Sequence, residues 1–192
     1  MNNQEKIRLG FAICGSFCTF KRVIAQLEIL AKEYDVTPIM SGVSYSTDTR
    51  FGKAEDFIAQ IEEVCQKKVL HTIKEVEPFG PKGLLDILVV APCTGNTIAK
   101  LANGIADSSV TLAAKAHLRN NRPLVIAVST NDGLGSNAKN IGQLLNMQHN
   151  YFVPFCQDDP IDKEKSLVAI MEKIPDTVAE ALKGKQIQPV IS

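Results

Sequence analysis

The sequence lacks a net charge, a long apolar run and a leader pattern. Its 192 residues carry 21 Lys plus Arg against 21 Asp plus Glu, for a formal net charge of +0. This balance argues against nucleic acid as the main partner. No apolar run approaches the roughly 18 residues that a membrane span needs. The polar start, residues 1–6, shows no signal-peptide pattern. We therefore expect a cytoplasmic protein that binds neither nucleic acid nor membrane.

Cysteine is present but without the spacing of a metal site. The five cysteines are an odd number scattered through apolar segments, which fits reduced thiols better than a disulfide framework. Cys14 and Cys18 are spaced too widely for a CxxC pair, and no second cluster completes a set of ligands. The sequence therefore predicts no metal site.

What the chain does contain is an alternation of strand and helix patterns, typical of a parallel sheet covered by helices. We predict an α/β fold: a three-layer, flavodoxin- or Rossmann-like doubly wound parallel sheet. Residues 1–192 form a single domain in this interpretation, with 184–192 as an extended C-terminal tail that packs on a neighbouring subunit. The predicted strands are 7–14, 36–40, 69–74, 86–91, 123–128 and 151–154. The predicted helices are 20–32, 54–66, 97–102, 108–120, 136–147 and 162–182, with loops at 41–53 and 78–83.

Small hydrogen-bonding residues follow four of the predicted strands. In an open parallel sheet, ligands bind in the crevice outside the carboxyl ends of the strands. Hydroxyls beside the N–H groups of a starting helix suit a phosphate, although each segment alone also fits a tight turn with a helix cap. The central strand is expected to end at Pro92, which cannot donate to the ladder. The candidate binding residues are Gly15, Ser16, Phe17, Thr19, Ser41, Pro92, Thr94, Asn96, Thr97, Ser129 and Thr130.

The fingerprints of larger nucleotides are missing from these strand ends. After Gly15 no second glycine arrives at the spacing of GxGxxG, and GxxxxGK[ST] does not occur. A mononucleotide held by one phosphate therefore fits this chain better than NAD or ATP.

Segment 91–107, which reads APCTGNTIAKLANGIAD, resembles the signature of the homo-oligomeric flavin-containing cysteine decarboxylases and its continuation. Gly15 and Ser16 fit the phosphate loop of that family. The resemblance implies FMN on a flavodoxin-like sheet, bound by the candidate residues above. It also implies that Asn131, which lies where the family contacts a substrate carboxylate, has the catalytic role. Trimers in the family build the flavin site at subunit contacts, and a helix 108–120 with small apolar residues on more than one face favours such an oligomer.

The chain also departs from that family. Its decarboxylating members carry a histidine just before the central strand, where residues 78–85 contain none, so cysteine decarboxylation is not expected. His71, His117 and His149 fit structural or surface positions better than catalytic ones. Cys93 is open to two interpretations, a nucleophile or a small loop residue; no base lies near it in sequence, which favours the second.

Segments 77–82, 127–135, 151–155 and 184–186 resemble one branch of the family more closely. That resemblance implies a subunit that acts with a separate dehydrogenase-like subunit, which carries NADP. Together they would oxidise a small cyclic dicarboxylate to an aromatic ring in the mother cell of a sporulating bacterium. Two alternatives remain open at this point: a flavin prenyltransferase or decarboxylase-like flavoenzyme, and a noncatalytic subunit that retains only the phosphate site.

Overall fold

The computed structural model describes residues 6–192, and seven strands of this part of the chain form one sheet. The strand order is β2-β1-β3-β4-β7-β6, and β5 pairs with β4 outside this path. The strands are β1 Arg8–Ile13, β2 Asp35–Met40, β3 Ile87–Cys93, β4 Leu124–Thr130, β5 Asn150–Phe152, β6 Phe155–Asp159 and β7 Lys163–Ala169. The helices are α1 Phe20–Glu33, α2 Gly42–Ser46, α3 Ala54–Cys65, α4 Ile73–Val76, α5 Phe79–Lys82, α6 Gly95–Ala102, α7 Ser109–Leu118, α8 Ala138–Asn146 and α9 Ile174–Ala181.

The predicted doubly wound parallel sheet is confirmed. Strands β1, β2, β3, β4 and β5 all pair in parallel, and the four predicted core strands are all present. Helix α1 packs with α3 and α9, while α7 packs with α4, α5 and α6. All seven residues of β3 are buried, as a strand covered on both faces requires. No helix in the described part of the chain is long and apolar enough to cross a membrane.

Pro92 does not end the central strand, contrary to the sequence prediction. Strand β3 continues to Cys93, and the register with β4 shifts between Val90 and Cys93. The carbonyl of Pro92 accepts a hydrogen bond from the N–H of Cys14 at 3.3 Å. Proline lacks only the donor, so a strand can pass through it where the ladder is already irregular.

The predicted helix 162–182 is wrong over its first half. Strand β7 occupies that region and forms an antiparallel hairpin with β6, which we call the β6–β7 hairpin, Phe155–Ala169. Only α9 and a short 3-10 turn, Met171–Lys173, follow it. Pro175 stands in the first turn of α9, where its missing N–H costs nothing, whereas in the predicted helix it would have lain in the interior.

Three shorter segments also differ from prediction. Segment 69–74 is not a strand: Leu70 makes one isolated bridge to Ile39, and Thr72 then caps α4 in a capping box with Glu75. The predicted loops 41–53 and 78–83 contain the short helices α2 and α5. Pairing at a single residue and helices of one turn leave too weak a periodic pattern to be read from sequence.

Helix α7 is covered by its own chain, whereas the C-terminal tail, residues 184–192, bonds to its own chain without any buried residue. The small residues of α7 are buried against the rest of the fold, so its apolar character does not require a neighbour. In the tail, the side chain of Gln186 bonds both the N–H and the carbonyl of Phe152, each at 2.7 Å. Phe155 donates to the carbonyl of Val190 at 3.1 Å. The tail thus bonds to β5 and β6 of its own chain, and its packing on a neighbouring subunit stays a prediction.

Candidate functional site

A cavity of about 640 Å³ lies at the carboxyl edge of the parallel strands. Loops after β1, β3 and β4 form one side of it, and the β6–β7 hairpin forms the other. Its size falls within the range of small-molecule sites. Nine of the predicted residues line it: Gly15, Ser16, Phe17, Thr19, Thr94, Asn96, Ser129, Thr130 and Asn131.

The loop after β1 has the geometry of an anion site. Ser16 precedes a 3-10 turn, Phe17–Thr19, which runs directly into α1, so the first N–H groups of the turn have no intrahelical acceptor. The Ser16 hydroxyl lies 2.7 Å from the hydroxyl of Ser129, near the end of β4. Thr19 closes the turn by donating to the carbonyl of Ser16 at 2.8 Å. Two strand ends are thereby tied together around groups that suit a phosphate.

Gly95 allows the start of α6 to approach a polar cluster after β4. A methyl group at Gly95 would lie 2.5 Å from the Thr130 hydroxyl and 2.7 Å from both the Asp132 carboxylate and the Asn137 amide. The carboxylate accepts bonds from that hydroxyl at 2.5 Å and from the amide at 2.8 and 2.9 Å. Asn140 donates to Asn137 at 2.8 Å and extends the cluster. The cluster fixes the turn that carries Asn131.

Asn131 itself is exposed to the cavity. Its side chain makes no hydrogen bond within the described residues, while its neighbours in the turn are fully bonded. An uncommitted amide held by a rigid turn is suited to bind a ligand, and the contact of Asn131 with a substrate carboxylate stays a prediction.

The β6–β7 hairpin contributes charge to the site. Lys163 lies 2.6 Å from Asp158, and this pairing raises the pKa of the lysine. Ser166 on the same hairpin is buried to 5% exposure. Within the described part of the chain, the charged residues lining the cavity are therefore one lysine and two carboxylates, Asp158 and Asp132.

Three predicted site residues lie outside the cavity lining. Ser41 caps α2 and bonds Ser44, and Pro92 is buried within β3. Thr97 is buried and bonds Thr94 and the sulfur of Cys14. These residues support the loops that carry the site. The sequence-based list in turn missed cavity residues, which are Cys18, Phe51, Gly95, Asp132, Asn137, Asp158, Lys163, Ser166, Leu167 and Val168.

Among the described cysteines and histidines, only Cys18, an exposed free cysteine, lines the cavity. Burial raises the pKa of Cys14 to about 11, and burial raises the pKa of Cys93 well above its usual value. Cys93 is thus a buried strand residue. His117 bonds the carbonyl of Pro123 at the opposite end of β4, and burial lowers its pKa to about 4. None of the described histidines lines the cavity, and residues 6–192 contain no group of three His, Cys, Asp or Glu that could hold a metal ion.

Comparisons with known proteins agree with the motifs. Residues 1–183 match the Flavoprotein family. The B subunit of dipicolinate synthase from Bacillus subtilis (strain 168) is 43% identical over 192 residues, which are 100% of this chain and 96% of the relative. The crystal structure of the corresponding B subunit from Bacillus halodurans C has a TM-score of 0.90 at 43% identity, over 98% of this chain and 97% of that one. The FMN-dependent cysteine decarboxylase SpaF shares the fold, with a TM-score of 0.66 at 22% identity over 91% and 97% of the two chains.

Proposed function

Because this chain belongs to the Flavoprotein family, we propose that it is one component of a dipicolinate synthase. In this proposal it acts with a dehydrogenase-like A subunit to oxidise a dihydrodipicolinate-type precursor to dipicolinate. The reaction takes place in the cytoplasm of the mother cell during sporulation, and residues 1–192 act as one domain. The observation that carries the proposal is 43% identity over the whole chain to the B subunit of a dipicolinate synthase.

In this proposal FMN binds in the cavity with its phosphate at the loop after β1. Ser16 and the N–H groups that open the 3-10 turn would hold the phosphate, and the polar residues at the ends of β3 and β4, Thr94, Asn96, Ser129 and Thr130, would surround the ring. When bound, FMN supplies a two-electron acceptor. In this proposal NADP belongs to the A subunit.

The side chains of the cavity support binding and orientation more than proton transfer. Asn131 offers an amide to a substrate carboxylate, and the cluster around Asp132 holds that amide in place. The carboxylate of Asp132 is already bonded to Thr130 and Asn137, and Asp158 is paired with Lys163. The proposed division of labour therefore assigns the acid–base chemistry to the A subunit. The missing histidine argues against cysteine decarboxylation.

We also propose that the protein is a homo-oligomer built on trimers. The support is the family resemblance, together with a cavity that the loops and hairpin of one chain leave open. The apolar residues on more than one face of α7 no longer support this proposal, because they are buried within their own chain.

An assay of dipicolinate formation with and without the A subunit tests the proposed function. We expect product only when this protein and the A subunit are both present, and a yellow colour in this protein as purified if it carries flavin. Equal rates with the A subunit alone would contradict the proposal. A colourless protein that still stimulates the A subunit would favour the noncatalytic alternative, and turnover of a prenyl phosphate would favour the prenyltransferase.

A further inference from the structure

Two cavities meet at the β6–β7 hairpin. A second cavity of about 630 Å³ is lined by Asn131 and by residues 161–166. Three side chains line both this cavity and the one described above: Asn131, Lys163 and Ser166. Each carries hydrogen-bond donors, as an amide, an ammonium group and a hydroxyl. The junction of the cavities thus carries donors from two separate parts of the chain, and the second cavity is also lined by the carboxylates of Asp162 and Glu164.

These donors are little used by the protein itself. Ser166 is 95% buried, taken from its 5% exposure, yet its hydroxyl has no hydrogen-bond partner within residues 6–192. Asn131 has none there either, and Lys163 bonds only Asp158. The Ser166 hydroxyl is not among the fully buried polar atoms that lack a partner within these residues, so it is open to the cavity. Donors that face a cavity and bond little to the protein are free to bind a ligand.

We propose that Asn131, Ser166 and Lys163 form a carboxylate-binding subsite. An ammonium group and two neutral donors that line the same two cavities suit a carboxylate, because bonds from a charged donor are stronger than those between neutral groups. The choice of a ring carboxylate as the ligand rests on the proposed function. Ser166 and Lys163 then set the preference for an anionic over a neutral ring substituent, in addition to the amide of Asn131.

Asp158 competes with the ligand in this arrangement. It lines the first cavity and holds the Lys163 ammonium group at 2.6 Å, so an incoming carboxylate must share or displace that contact. Its own negative charge also repels an anionic ligand. Replacing Asp158 by Asn should therefore strengthen binding of a carboxylate, which a merely structural ion pair would not do.

Calorimetric titration of the full-length chain with dipicolinate and with its neutral diamide tests the subsite without the A subunit. We expect wild type to prefer the dicarboxylate. Lys163→Met and Ser166→Ala should each weaken dicarboxylate binding by about tenfold and leave diamide binding unchanged. Asp158→Asn should strengthen dicarboxylate binding several-fold. Lys183→Met is the matched control, because it removes a similar exposed ion pair with Glu180 at 2.7 Å, outside both cavities.

Equal affinity for the dicarboxylate and the diamide, or no binding of either, would overturn the subsite. So would dicarboxylate binding that is unchanged in both hairpin variants and displaced by inorganic phosphate, since this places the anion at the Ser16 loop. Melting temperatures of all variants identify any that fail to fold. If this protein and the A subunit together form no dipicolinate while the hairpin variants still change the binding preference, the proposed function fails and the subsite stands.

Discussion

The parallel strands and the β6–β7 hairpin border the same cavity but are held in place differently. Every residue of β3 is buried, and β1 exposes only its first residue partly. In β7 the first three residues, Lys163, Glu164 and Lys165, are exposed, and burial begins at Ser166. The hairpin meets β4 at only two paired positions, Ser129 with Val168 and Thr130 with Leu167. Rigidity therefore comes from the strands, whereas the hairpin presents cavity-facing groups whose exposed part lies outside the core.

The largest effect should follow from a truncation in the parallel strands. Phe11 in β1 is fully buried, so Phe11→Ala should reduce the free energy of unfolding by about 3–5 kcal/mol through lost burial and the cavity left behind. Phe51, which is 46% exposed at the ligand cavity, provides the control, and Phe51→Ala should cost less than about 1 kcal/mol. Urea denaturation measures both. Similar losses of unfolding free energy in the two variants would contradict the proposed difference between the core and the cavity wall.

The helical layer over these strands should weaken in acid through His117. Burial is the main cause that lowers its pKa from 6.5 to about 4, and the Arg122 charge acts in the same direction. The hydrogen bond to Pro123 and the Asp86 charge oppose the fall. The unfolded chain therefore binds a proton between these values that the folded chain does not. The stability linked to neutral His117 is fully present above pH 6.5 and is lost as the pH falls toward 4. Over this range the free energy of unfolding should fall by about 3 kcal/mol.

Unfolding free energies measured from pH 7 to 4 test this linkage. In His117→Gln, which keeps a donor for the carbonyl of Pro123, the fall over this range should shrink by most of that amount. An unchanged pH dependence in the variant would show that other groups cause the fall.

Asn131 and Asn137 separate binding from support within one turn. If the proposed function holds, Asn131→Ala should lower dipicolinate formation by this protein and the A subunit by about ten- to hundredfold, equivalent to about 1.5–3 kcal/mol for a lost bond to a charged group. It should not lower the melting temperature, because the side chain bonds nothing within the described residues. Asn137→Ala should instead destabilise the fold, because it leaves the Asp132 carboxylate short of a donor.

Activity and melting temperature measured on both asparagine variants distinguish ligand binding by Asn131 from structural support by Asn137. A stable Asn131→Ala protein with normal activity would remove this residue from the proposed site. A lower melting temperature for that variant would make it a turn residue.

The smallest expected effects come from two glycines in helices. Gly95→Ala places a methyl group within 2.7 Å of three polar side chains and should cost about 1–3 kcal/mol. Gly142→Ala in α8 meets nothing within 4 Å and should stabilise the protein by about 0.4–1 kcal/mol. The same substitution thus has opposite signs at the site and away from it. Thermal unfolding of both variants checks this, and destabilisation at Gly142 would contradict the helix-propensity argument.

The sequence allowed the strand frame and much of one cavity wall to be predicted. Continuous apolar runs at β1, β3 and β4 indicated buried parallel strands, and polar residues after them marked the ligand edge. The family resemblance from segment 91–107 is confirmed by the full-length comparisons. The hairpin was missed because its polar, charged stretch 157–165 lacks a clear period of two. Pro175 was the available signal against a long helix there.

The sequence by itself therefore determined the five parallel strands and the edge of the sheet where polar groups collect. Hydrophobic periodicity is a local property that identifies the strands, and the rules for connections between parallel strands then place their carboxyl ends at one edge. Only the tertiary structure decided which polar groups share a cavity. It placed Ser41, Pro92 and Thr97 behind the cavity wall, and it brought Lys163 and Ser166 to the side of Asn131. Contacts between segments far apart in the chain depend on how the whole fold packs, and no local pattern records them.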